Sequence, residues 1–160
     1  MTPDDLREDV AVELEALETT VHELIALQTD IADRAPTVRE QTAAAAFLAQ
    51  FYNGVENILK RISHYHHVPL PTGDTWHVDL FRRFCSPPYP PLPALFDASL
   101  EAALAPYRRF RHVAFHSYGF QIEWSRLAEG VAGVDNVFVR IKANLGDYLR
   151  MIERSGHAEG

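Results

Sequence analysis

Three arginines, two histidines and two tyrosines fall within the twelve residues Tyr107 to Tyr118, in a chain whose formal charge is −7. On a helix, Arg108, Arg111 or His112, Phe115 and Tyr118 share one side. His112 and His116 then lie one turn apart, and Arg111 and Tyr118 two turns apart. Arg111 can grip a phosphate with its planar fork and stabilise charge that develops there. His116 is the side-chain type that exchanges protons near neutral pH, and its place in the last helical turn suits a general acid. The flanking aromatics can stack on bases. By spacing alone, the plainer reading comes first: a solvated basic face whose arginine stems cover the edge of a core.

The rest of the chain must present that segment. Its 160 residues suit one domain able to bury its own core, and 47% apolar with 23% charged residues is a globular composition. The net acidity excludes a protein that coats nucleic acid by bulk attraction, so an RNA-directed activity has to rest on a concentrated basic patch. Cys85 is the only cysteine, no apolar run is long enough to span a membrane, and the N-terminus opens with acids instead of a basic signal region. These features point to a reducing, cytoplasmic setting without a membrane.

The patterning predicts helices throughout and no convincing strand. Thr2 caps a helix from Pro3 to about Arg34, with Val10, Leu14, Leu17, Val21, Leu24 and Ile31 as its stripe. Thr37 and Glu40 form a capping box for a second helix reaching roughly His66, striped by Leu48, Phe51, Val55, Ile58, Leu59 and Ile62. Gly54 inside it implies close packing. A short helix ends near Cys85, and the five prolines between Ser86 and Pro93 make an irregular connector. A helix from about Asp97 to Tyr118 is expected to kink or break at Pro106 and to be capped by Gly119. The last helix is expected from about Ser125 to Arg154, with Leu127, Val131, Val134, Phe138, Ile141, Leu145, Tyr148 and Ile152 as its stripe. The fold class is all-α, an up-and-down bundle of four main helices plus a short one, with residues 1–155 as a single domain and 156–160 as a flexible tail.

Arg111, four residues, His116, one residue and Tyr118 resemble the Arg-x4-His-x-Tyr motif of HEPN-domain toxins of the HepT type. Phe51 to Ile58, Leu70-Pro71 to Trp76-His77, and Tyr107 to Trp124 resemble the HepT-like subgroup in wording and order, so the resemblance covers about residues 45 to 125. It implies a metal-independent endoribonuclease that works as a homodimer, with the motif residues lining a cleft between copies. A ribose 2′-hydroxyl would attack its adjacent phosphate and leave a cyclic phosphate. By that resemblance Arg111 stabilises the phosphorane and His116 acts as acid and base, and His112 fits a position that is often polar in the family; His112 and Arg108, which lies on the same side of the helix, are expected to support substrate binding. An MNT-type nucleotidyltransferase antitoxin would add AMP to Tyr118 and silence the site. A second reading is a non-catalytic HEPN module that binds a nucleotidyltransferase or a nucleotide. No cofactor is expected.

Other polar residues carry weaker signals. Asn53 and Glu56 lie at the edge of the second helix's stripe, either as a polar pair satisfied within the core or as groups that orient Arg111 or His116. His64, His66, His67 and His77 suggest a metal cluster, but histidines at a helix end are more often solvated or capping groups, and no metal is expected. Tyr52, Trp76 and Trp124 read as core or groove anchors, and Cys85 as a small core residue.

Overall fold

A computed structural model of the chain describes residues 1–158. Among these residues, five α-helices account for the architecture: α1 (Pro3–Ile31), α2 (Val38–Tyr65), α3 (Trp76–Arg82), α4 (Ala98–His116) and α5 (Trp124–Ala158). A single turn of 3-10 helix, Gly119–Gln121, joins α4 to α5. The only β-type pairing among the described residues is an isolated bridge between Cys85 and Phe96, so the fold is all-α. No described helix is long and apolar enough to cross a membrane.

The helix starts follow from their caps. Thr2 and Asp5 bond reciprocally across the first turn of α1, and Thr37 and Glu40 do the same for α2. Asp97 accepts from the Leu100 N–H at 2.8 Å and opens α4. α1 ends at Ile31, short of the expected Arg34, and further differences lie along α4 and α5. α4 runs as one helix through Pro106, whose missing N–H frees the carbonyl of Ala102, a solvent-exposed residue. That helix then stops at His116, because Ser117 is extended, so Tyr118 lies beyond the helix and not two turns above Arg111. Finally, α5 continues to Ala158, past the tail expected after residue 155; the remainder of that tail, Glu159 and Gly160, lies outside the described residues.

Contacts fix the helix directions. Leu17 packs on Gly54 while Arg61 reaches back to Asp9 and Glu13, so α1 and α2 are antiparallel. Arg7 pairs with Glu153 and brings α5 antiparallel to α1. Tyr107 meets Gly130 while Arg140 reaches Ser99, which sets α4 antiparallel to α5. The result is an up-and-down four-helix arrangement with α3 added against α2. All eight stripe positions expected in α5, from Leu127 to Ile152, are buried. The core is one continuous cluster in which α2 faces every other helix.

Two glycines allow the helices to approach. A Cβ on Gly54 would lie 2.6 Å from Leu17 Cδ2, and one on Gly130 would lie 2.7 Å from the Phe110 ring. The ring cannot fold aside as an aliphatic chain end can, and the Gly130 carbonyl also accepts a 2.7 Å hydrogen bond from the Tyr107 hydroxyl. Gly130→Ala therefore gains about 1 kcal/mol of helix propensity but loses more to overpacking. We expect a net destabilisation of roughly 1 kcal/mol in urea denaturation.

The corner between α1 and α2 is clasped by charge. Arg34 donates to both oxygens of Glu40 at 2.7 Å, and the Thr37 N–H adds a third bond at 2.9 Å. The guanidinium first, and then that backbone donor, hold the Glu40 carboxyl down at about 2. Its stabilising effect is complete above the ordinary value of 4.5 and is lost as pH falls from there toward about 2. In Glu40→Gln, the fall in stability across that window should be shallower, as read by denaturant midpoints at successive pH values.

Candidate functional site

The buried carboxylate of Glu56 organises the polar residues of the site. Glu56 sits on the core side of α2, one turn after Tyr52, with its side chain 1% exposed. A bare carboxylate there would be very costly, and two partners from other elements offset that cost. From α4, Arg111 Nε lies 3.2 Å from Glu56 Oε1, close as an ion pair although off the line of a hydrogen bond. From α3, His77 Nδ1 lies 2.5 Å from Glu56 Oε2. The triangle closes with Arg111 Nη1 at 3.3 Å from His77 Nε2. Arginine can only donate, so Nε2 is the acceptor of His77, and its proton is assigned to Nδ1, donated to Glu56. One carboxylate thus fixes the guanidinium through a direct contact and through an imidazole bridge.

Around this triangle lie further groups of α2 and α4. Tyr52 is fully buried, and its hydroxyl has no hydrogen-bond partner among the described residues. Burial, reinforced by the Glu56 carboxylate, pushes that hydroxyl's pKa well up, so it remains a donor. The Arg108 guanidinium lies 5.7 Å from the centre of the Phe81 ring, and that of Arg111 lies 4.8 Å from the Phe115 ring. His112 and His116 are exposed, with ring centres 4.5 Å apart, as their one-turn spacing requires. The His116 side chain makes no hydrogen bond among the described residues and is open to solvent.

Not all the expected groups converge. Arg108 and Arg111 lie on the flank of α4 that meets Glu56, with His112 at its rim. Asn53 is only half-buried and edges a separate cavity of about 230 Å³ with Ala114 and Phe115, so it forms no pair with Glu56. Arg111 and His116 are five residues apart, about 140° around the helix, and are not stacked neighbours. Tyr118 is 68% exposed and stacks on Phe120 with ring centres 5.5 Å apart. Its segment is pinned to α2 by the Gln41 amide, which donates to the Phe120 and Ile122 carbonyls at 2.7 and 2.6 Å.

The histidines considered as a metal cluster separate. His77 belongs to the Glu56 triangle. His66 sits against the Tyr148 hydroxyl at 2.5 Å, where burial, and then His67, hold its pKa below the usual value. His64 and His67 are not drawn into a shared site, and no three His, Cys, Asp or Glu side chains gather as a metal site among the described residues. The role that sequence reasoning missed is that of His77. Its signal was indirect: an acid on an apolar helix face needs partners, and Trp76-His77 opens the adjacent short helix.

Removing one partner of the triangle should leave a buried charge uncompensated. Glu56→Ala is expected to lower stability by about 3 kcal/mol. The double variant Glu56→Leu, Arg111→Met, which removes both charges, should recover most of that loss. A double-mutant cycle by chemical denaturation reads the coupling directly.

Comparison with known proteins places the whole constellation in one family. Residues 43–152 match the family model described as HepT-like protein, a span that includes Glu56, His77, Arg111, His116 and Tyr118 and extends into α5. No curated protein and no solved structure matches the chain. With roughly two thirds of its length matched in one span, this chain belongs to the HepT-like HEPN family.

Proposed function

We propose that this protein is a HepT-like toxin, a metal-independent endoribonuclease held in check by an MNT-type nucleotidyltransferase antitoxin. The observation that carries the reading is the contrast along α4. Arg111 is locked in place by Glu56 and His77, while His116 stands free at the end of the same helix. A rigid cation suits charge stabilisation, and an unengaged imidazole suits proton transfer.

In the proposed reaction the 2′-oxygen of a ribose attacks the adjacent phosphorus, and the bond from phosphorus to the 5′-oxygen of the next nucleotide breaks. The products are a 2′,3′-cyclic phosphate and a 5′-hydroxyl. The proton leaves the 2′-oxygen for a base, and a proton is delivered to the departing 5′-oxygen. His116 carries the acid–base role, and Arg111 stabilises the charge on the phosphorane oxygens. His112 and Arg108 hold neighbouring phosphates. The exposed aromatic face of Phe115 and Phe120 supports a homodimer, in which two copies of α4 would double the cation density of an otherwise acidic surface. Tyr118, exposed beside that face, is the residue the antitoxin would adenylylate; the added phosphate would compete with RNA for the same cations.

The engagement of Arg111 with Glu56 and His77 also favours a second reading, in which the cation is structural and the protein is a non-catalytic partner that binds a nucleotidyltransferase or a nucleotide. Cleavage of total RNA by the purified protein in the presence of a chelator separates the two. We expect cleavage by the parent, and rates at least roughly 100-fold lower in Arg111→Ala and in His116→Ala. Absence of cleavage by the parent, with no AMP on Tyr118 by intact mass after exposure to a cognate nucleotidyltransferase, would leave the binding module as the function.

A further inference from the structure

Displacement at phosphorus is in line, so the attacking 2′-oxygen and the departing 5′-oxygen lie on opposite sides of it. A base has to stand on one side and an acid on the other, each within hydrogen-bond reach of its own oxygen. His116 is placed to serve only one of them. It lies about 140° around α4 from Arg111, and it does not line the cavity of about 450 Å³ that Arg108, Arg111 and His112 form with α2 and α3. A second proton-transfer group therefore belongs on the Arg111 side.

His77 is on that side. Its Nδ1 lies 2.5 Å from Glu56 Oε2, with the proton between them, and its Nε2 is left as an acceptor facing Arg111 Nη1 at 3.3 Å. A carboxylate behind an imidazole holds the tautomer whose outer nitrogen carries no proton, and it stabilises the imidazolium once that nitrogen takes one. The plane of the ring is set as well. Trp76 lies against it with ring centres 3.5 Å apart, and the Lys60 ammonium sits 4.8 Å from the centre of the indole. The His77 side chain remains 27% exposed, which leaves it open to a substrate hydroxyl. The other groups on this side are unsuited. Glu56 is buried and contacted on both oxygens, and burial pushes the pKa of the Tyr52 hydroxyl well up, so that it keeps its proton. His112 has no carboxylate behind it among the described residues. The charges that face His77 act both ways: Glu56, and Asp74 at the cavity rim, favour its protonated form, while Arg108 and Arg111 oppose it.

We propose that His77 is the general base of the reaction and His116 its acid, an assignment that rests on the ribonuclease reading above. Arg111 Nε stays on Glu56 while Nη1 turns from His77 to a phosphate oxygen, which frees the Nε2 lone pair for the 2′-hydroxyl. The bond from the 2′-oxygen to phosphorus forms as that proton passes to Nε2. The bond from phosphorus to the 5′-oxygen breaks as His116 delivers its own proton there. His77 ends protonated and His116 neutral, and proton exchange with water resets both.

The pH dependence of kcat/KM for RNA cleavage, measured with chelator in the parent, His77→Gln and His116→Ala proteins, tests the assignment. Glutamine can still donate to Glu56 and accept from Arg111, so it keeps the triangle but takes up no proton. The base acts unprotonated, so the parent loses rate on the acid side through His77; the acid acts protonated, so the alkaline loss belongs to His116. We expect His77→Gln to be slower by at least roughly 100-fold and to lack the acid limb, and His116→Ala to lack the alkaline one. A ribo-oligonucleotide with sulfur in place of the 5′-oxygen at the cleaved linkage separates the two, because a departing thiolate needs no proton. On that strand the deficit of His116→Ala should shrink by about tenfold or more, while that of His77→Gln persists. Thermal unfolding verifies that each variant is folded. Independently of any variant, the ring nitrogen shifts of the parent should place the His77 proton on Nδ1 at neutral pH, and a proton on Nε2 overturns the assignment. Cleavage by folded His77→Gln at the parent rate overturns it too. So does a slower His77→Gln that keeps the acid limb, since His77 then serves only to prop Arg111. A parent that cleaves no RNA sinks the ribonuclease reading and this assignment with it, whereas an active parent beside an equally active His77→Gln sinks the assignment alone.

Discussion

A single carboxylate without water around it sets the terms for much of this molecule. Glu56 is buried on α2, the helix that faces every other, and a charge in that position is tolerated only if cations or donors reach it. Arg111 and His77 reach it from two different elements, so the polar requirement of α2 ties down both α4 and α3. Such a pair adds little net stability compared with apolar packing of the same volume, because desolvation offsets most of the attraction. What it contributes is geometry. A guanidinium otherwise free to sample many rotamers is held at one depth and one angle beside α2 and α3.

The packing around that centre is arranged to keep α4 close. Gly130 lets the Phe110 ring lie directly on α5, and the hydroxyl of Tyr107, the residue after Pro106, anchors to the Gly130 carbonyl. The lost hydrogen bond at Pro106 falls on the solvent side, at Ala102, so the helix carries a proline without giving up its buried face. Apolar burial and ion pairing thus act on the same helix from opposite sides: α5 fixes its back, and α2 with α3 fixes its front.

Sequence periodicity and capping chemistry made the helices legible because each signal is local. Thr2, Thr37 and Asp97 announce their helix starts, and the stripe of α5 is read correctly from Leu127 to Ile152. The end of α4 was not legible, since Gly119 looks like a natural cap while the chain leaves the helix two residues earlier, at an extended Ser117 whose following turn is held by a side chain of α2. The motif residues were visible as types and spacings, but their division of labour was not. That Arg111 points inward to Glu56 while Asn53 turns to another cavity depends on which edge of α2 meets α4, a tertiary property. The part played by His77 was hidden for the same reason: its partner lies 21 positions away on a different element.

The Gln41 amide has a consequence of its own. It staples the turn after Ser117 through two carbonyls, using a group that neither titrates nor carries charge. The grip of the arginines on any phosphate weakens as counterions accumulate, whereas this staple is indifferent to salt and to acidity. The two halves of the motif are therefore mounted on supports of different physical kinds. Electrolyte tunes how strongly the face attracts an anion, while the perch of Tyr118 stays where it is.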